Sequence, residues 1–161
     1  MDRFLARKKI RLPRSGYHAG HAFFITIGTY QRYPWFGLYP ELADSNVEVL
    51  RDLGGSRGTT LYAWSIMPDH IHLQLQDKDI VDFVRLSKGK MTPKAFAKEP
   101  GRRLWQRSFY DHALRKEESI SAVALYIWEN PVRAGLVEDP TKYLWSGSEV
   151  WPDWREFYRR G

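Results

Sequence analysis

The first apolar block is residues 21–30, His-Ala-Phe-Phe-Ile-Thr-Ile-Gly-Thr-Tyr, a β-branched and aromatic run that predicts a buried strand. A loop with Pro34, Gly37 and Pro40 follows. From Glu41 to Leu53 the apolar positions Leu42, Val47, Val49, Leu50 and Leu53 make a helical stripe, expected to stop at Gly54-Gly55. Thr59–Ile66 and His70–Gln76 predict two strands joined by a turn at Met67-Pro68-Asp69, because Pro and Asp both favour turns. Asp79–Ala97 predicts a helix interrupted near Pro93, and Lys98–Arg103 a loop. Ser108–Arg115 predicts a further strand. Glu117–Glu129 predicts a helix that stops before Pro131, since the residue preceding a proline disfavours helical geometry. The remainder, with Pro140, Gly147 and Pro152, predicts irregular chain. Strand, helix, strand, strand, helix, strand, helix is an α+β order. It suits a ferredoxin-like fold, a mainly antiparallel sheet with a layer of helices packed on one face.

Composition narrows the class. The chain has 161 residues, 43% apolar and 27% charged, which fits one globular domain. No apolar run reaches the roughly 18 residues of a membrane span. The start, Met1-Asp2-Arg3-Phe4-Leu5, shows no apolar run of signal-peptide type, so a cytoplasmic location is expected. The absence of cysteine excludes disulfides, a thiolate nucleophile and Cys-ligated metal sites.

Charge points to a partner. The formal net charge is +6, which makes a polyanion the first candidate. Residues 1–16 form a basic arm with Arg7, Lys8, Lys9, Arg11 and Arg14. Lys88, Lys90, Arg102, Arg103 and Arg107 belong to a second basic stretch, and residues 148–161 form a basic tail. Seven Trp and nine Tyr interleave with these cations, a pairing that suits single strands because every base offers a face for stacking.

Two constellations carry chemistry. In the strand His70-Ile71-His72-Leu73-Gln74-Leu75-Gln76, alternate side chains share a face, so His70 and His72 stand together while Ile71, Leu73 and Leu75 face a core. Neutral imidazoles so placed can bind one divalent cation; two polar residues on a half-exposed strand is the simpler alternative. Tyr126 and Asn130 lie four apart and share a helix face, where Asn130 offers an amide oxygen at the helix end. A cation beside a tyrosine suits attack on a phosphodiester, because the phenol itself ionises only near about pH 10 and needs a polarised target. A buried Tyr and an Asn capping the helix before Pro131 is the alternative here.

Taken together, these segments resemble the REP-associated tyrosine transposases, a branch of the HUH endonucleases. The resemblance rests on Met67-Pro68-Asp69-His70-Ile71-His72 and on the stretch from Tyr126 through Asn130-Pro131-Val132-Arg133-Ala134-Gly135-Leu136-Val137. Residues 104–112 and 29–36 add lesser matches, and residues 17–147 form the implied domain. The resemblance implies single-stranded DNA with hairpin repeats as substrate, cut and rejoined through a 5′-phosphotyrosine, and a magnesium or manganese ion. It implies Tyr126 as nucleophile and His70, His72 and Asn130 as metal ligands. A monomer is favoured over a homodimer. Trp128 departs from the family's frequent His, and Gln74 from its usual aliphatic residue. Asp111 and His112 are second-tier candidates for orienting a ligand or touching DNA, and Arg133 for reaching the DNA backbone. The rival is a DNA-binding protein that holds hairpin repeats without chemistry; a metal-dependent hydrolase of another substrate is a third reading.

Overall fold

The structure is a computed structural model that describes residues 21–114 and 117–160. Strands β1 (Ala22–Gly28), β2 (Thr60–Ile66), β3 (His70–Gln76), β4 (Tyr110–Leu114) and β5 (Ser146–Gly147) form one antiparallel sheet in the order β4-β1-β3-β2-β5. Four helical segments of note are a single turn α1 (Trp35–Leu38), then α2 (Pro40–Arg57), α3 (Ile80–Lys98) and α4 (Glu117–Arg133), with a short α5 (Trp154–Arg160) at the end. The first four strands with α2 and α3 make the ferredoxin-like β-α-β-β-α-β unit, with β5 added at one edge.

The pleat sorts the side chains. Ile25 and Ile27 of β1, with Ile71, Leu73 and Leu75 of β3, face a core shared with α2 and α3. The opposite face carries Ala22, Tyr62, Ala63 and Leu114, which pack on Val123, Ala124, Ile127 and Trp128 of α4. Helices therefore cover both faces rather than one. A chain that has filled one face with α2 and α3 still has an apolar stripe on the other, and α4 buries it.

Two stops and one interruption expected along the chain are absent. α2 runs through Gly54-Gly55 and ends at Gly58, whose φ of 68° supplies the left-handed cap. Gly54 serves close approach instead, since a Cβ there would lie 2.8 Å from Leu61 Cδ1. α3 continues through Pro93, with the nearby carbonyl of Lys88 accepting from Thr92 Oγ1 at 2.9 Å and Trp105 Nε1 at 3.1 Å. α4 continues through Pro131 to Arg133, whose Nη2 donates to the Tyr126 carbonyl at 2.8 Å, one residue before the Ile127 carbonyl that the proline leaves without its helical donor.

Residues 148–160 are not a solvated tail. Trp151 and Trp154 are buried beside α4, and Trp154 stacks on Trp128 with centroids 4.6 Å apart. Trp128 Nε1 donates to the Gly147 carbonyl at 3.0 Å, so this tryptophan fastens the C-terminal segment to α4 and faces away from the histidines. Among the described residues no helix is long and apolar enough to cross a membrane.

Candidate active site

β3 is paired on both sides, Thr26 standing opposite His72 on β1 and Ser65 opposite it on β2. Its histidines are therefore held on the stiffest part of the sheet. The Nε2 atoms of His70 and His72 lie 3.2 Å apart. Two imidazole nitrogens each about 2.0–2.1 Å from one ion, roughly 90–110° apart, would lie about 2.8–3.4 Å from each other. The outer nitrogens are engaged: His70 Nδ1 with the Asp69 carboxylate at 2.7 Å, His72 Nδ1 with the Thr26 hydroxyl at 3.1 Å. Partners behind the rings fix orientation and leave the inner nitrogens to converge.

Electrostatics keep His72 available. Burial, together with the charges of His70, Arg133 and Arg32, pulls the His72 imidazole down from 6.5 to about 3. It is neutral at ordinary pH, as a metal ligand must be. Burial pushes the Asp69 carboxyl up, but its hydrogen bond with His70 and the charges of His70 and Arg32 outweigh this and hold it below its ordinary value. Arg32 Nε donates to Asp69 Oδ2 at 3.0 Å. It does so from a left-handed backbone, with Gln31 at φ 55° and Arg32 at φ 58°. Such geometry costs on the order of 1–3 kcal/mol per residue and persists only where its surroundings enforce it.

α4 brings the second constellation to the same face. The Tyr126 ring meets Phe24 edge-on at 6.1 Å, and Phe24 stacks on His72 at 5.4 Å. A single aromatic ring thus bridges the tyrosine and the histidine pair. Arg133 lies over the Tyr126 ring at 3.9 Å and donates to Asn130 Oδ1 at 3.2 Å. Asn130 Nδ2 is buried without a hydrogen-bond partner. Among the described residues no group of three or more His, Cys, Asp and Glu side chains could hold a metal. Asn130, on the helix that carries Tyr126, is the sequence-predicted third ligand, and its amide oxygen accepts from Arg133 in this structure. Two imidazole nitrogens and an amide oxygen would form a donor set that manganese accepts readily and magnesium less so.

The remaining candidates divide. His112 lines a groove with Tyr126, whereas Asp111 stands opposite Ile25 in the register, on the other face of the sheet, and takes no part. Lys88 donates to the Gln106 carbonyl at 2.8 Å, and burial, then the charge of Arg103, lowers its ammonium below the ordinary value. Arg102 stacks on Tyr33 at 4.1 Å and Arg103 on Tyr30 at 4.7 Å, around a second, polar groove of about 470 Å³. Lys90 and Arg107 are exposed. Arg7, Lys8, Lys9, Arg11 and Arg14 lie outside the described residues.

Sequence reasoning gave no role to Thr26, Phe24 or Arg32, and placed Asp69 in the turn and in the Met67–His72 motif without the role behind His70. Gln74 is also reassigned: it is fully buried, and its Nε2 donates to the Ile120 carbonyl at 2.8 Å, tying β3 to the start of α4.

The family model described as IS200-like transposase matches residues 21–130, more than half of the chain. The chain belongs to this family. It is 33% identical over 82 residues to the ISDra2 transposase TnpA of Deinococcus radiodurans, covering 45% of this chain and 59% of that one. It is 29% identical over 112 residues to the REP-associated tyrosine transposase of Escherichia coli K12, covering 67% of this chain and 63% of that one. The chain therefore spans about three fifths of the length of these relatives. A solved structure of a REP-associated tyrosine transposase bound to a REP hairpin superposes with a TM-score of 0.65 at 22% identity, over 86% of this chain and 81% of that one. At that identity the likeness speaks for the shared fold.

Proposed function

We propose that this IS200-like transposase chain is a metal-dependent endonuclease and strand transferase acting on single-stranded DNA with REP-like hairpins. The observation that carries the reading is the converging pair His70 and His72, one aromatic ring from Tyr126. Membership of a transposase family and the hairpin-bound structural neighbour support the substrate class.

The Tyr126 phenol oxygen attacks phosphorus, the bond from phosphorus to the 3′-oxygen breaks, and the phenol proton passes to solvent. The leaving 3′-oxygen takes up a proton, leaving a 3′-hydroxyl and a 5′-phosphotyrosine. The reverse attack by a 3′-hydroxyl rejoins the strand, because the covalent intermediate conserves the bond. His70, His72 and Asn130 would hold a magnesium or manganese ion, which would polarise the scissile phosphate and stabilise the added negative charge. Arg133, already over the Tyr126 ring, supplies fixed positive charge beside the reacting oxygens. Phe24 holds the phenol ring at its edge and limits how far it can swing.

A second reading, a hairpin-binding protein without chemistry, is favoured by one observation: Arg133 already occupies the Asn130 oxygen. Incubation with a hairpin oligonucleotide and manganese separates the two. The enzyme yields a denaturation-resistant protein–DNA adduct, lost in Tyr126→Phe with binding retained. Tight binding with no adduct in the wild type supports the second reading.

A further inference from the structure

Beside Tyr126 the sheet edge opens into a groove of about 230 Å³ that the reaction above does not use. Edge strand β4 supplies Tyr110, His112 and Leu114, alternate residues of one face; β1 supplies Phe24, and α4 supplies Val123 and Tyr126. The floor is apolar, with Leu114 and Val123 buried. The walls are aromatic: Phe24 meets Tyr110 edge-on at 6.4 Å and Tyr126 at 6.1 Å. Tyr110 is 59% exposed, a large aromatic left in solvent at the mouth.

Resting on the proposed reaction, we infer that this groove takes one nucleobase flanking the scissile phosphate. Three features select that occupant. Tyr126 is itself a wall, so whatever nucleotide presents its phosphorus to the phenol places its base within reach of the groove. The volume falls below the roughly 300–1,000 Å³ of pockets for drug-sized ligands and suits a single planar ring system rather than a duplex. Among the described residues no acidic side chain lines the groove, while Arg133 stands over the adjoining Tyr126 ring to meet the phosphate that accompanies the base. Aromatic walls hold a base by stacking, and His112, with one donor and one acceptor ring nitrogen when neutral, can read its edge. The groove thereby makes cleavage depend on one base next to the cut, independently of the hairpin.

The test uses hairpin oligonucleotides in which each nucleotide flanking the cut is replaced in turn by an abasic residue. Loss of one base should raise KM for adduct formation by about tenfold or more, the scale of a base stacked on an aromatic side chain. Tyr110→Ala should weaken the intact substrate to a similar degree and respond no further to the abasic change. Leu144→Ser, an exposed apolar position outside the groove, serves as the control and should match the wild type. Binding is read separately in Tyr126→Phe, with 2-aminopurine at the sensitive position. Its fluorescence should be quenched on binding, and Tyr110→Ala in that background should abolish the quenching.

Adducts that ignore both flanking bases, with unquenched 2-aminopurine, overturn the groove assignment and leave the proposed reaction standing. Quenching without adducts retains the groove and removes the reaction. A dimer that Tyr110→Ala dissolves would assign the groove to a second copy of the chain and also overturn the inference.

Discussion

His70 and His72 face each other through Nε2 atoms 3.2 Å apart, and each ring is held from behind by a different element: Asp69 in the β2–β3 turn, Thr26 on β1. The pair is therefore aimed by its neighbours and not by the strand alone. Asp69→Asn keeps the size of the side chain but removes the charge behind His70. Partners of this kind are worth about 10–100-fold in metal affinity. Titration calorimetry with manganese should show a loss of that size. An unchanged affinity would leave Asp69 with only its role in the turn, where its carbonyl accepts from the Thr29 N–H and hydroxyl.

The depressed His72 pKa gives a stability prediction for metal-free protein. The unfolded imidazole takes its proton near 6.5, whereas the folded one holds off until about 3. In that window the unfolded state binds the extra proton, so stability falls as pH drops from 6.5 toward 3. Urea midpoints at neutral and mildly acid pH should fall less in His72→Gln than in the wild type. Parallel curves would mean that His72 is not buried as described.

Arg133 competes for the Asn130 oxygen while it stacks on Tyr126. Removing it in Arg133→Ala should free that oxygen and tighten manganese binding several-fold. Stability should drop by about 0.5–1 kcal/mol for the lost cation–π contact. A weaker metal affinity in this variant would instead give Arg133 the task of aiming Asn130 toward the ion.

The C-terminal segment offers a test of the fold. Trp154 is buried and stacked on Trp128. Trp154→Ala should cost about 3–5 kcal/mol in chemical denaturation, a large share of the roughly 5–15 kcal/mol that a domain possesses. A loss below about 0.5 kcal/mol, the ordinary range for surface substitutions, would restore the tail reading.

The sequence showed the histidine strand plainly because its period-two alternation is local: apolar Ile71, Leu73 and Leu75 against polar His70, His72, Gln74 and Gln76. It showed Tyr126 and Asn130 on one helix face for the same reason. The errors fell where tertiary contacts outvote local preference. Pro131 does not stop its helix and Pro93 does not break its own; near them, side chains of Arg133, Thr92 and Trp105 donate to the Tyr126 and Lys88 carbonyls. Gly54 reads as a stop only until Leu61 is seen against it. Trp151 and Trp154 sit among charges in a Pro-containing segment, with no periodicity to announce a core, and their partners lie on a helix some 25 residues earlier. Thr26 and Phe24 were indistinguishable from other strand residues until the register set Thr26 opposite His72 and Phe24 opposite Gln74.

Mass spectrometry of the protein after reaction with a manganese-supplied hairpin oligonucleotide bears most directly on the chemistry. The account predicts one modified peptide, with a 5′-phosphorylated DNA fragment on the oxygen of Tyr126 and a matching free 3′-hydroxyl on the released strand. DNA attached to a different residue, or cut strands with free 5′-phosphates and no covalent intermediate at any time point, would contradict it.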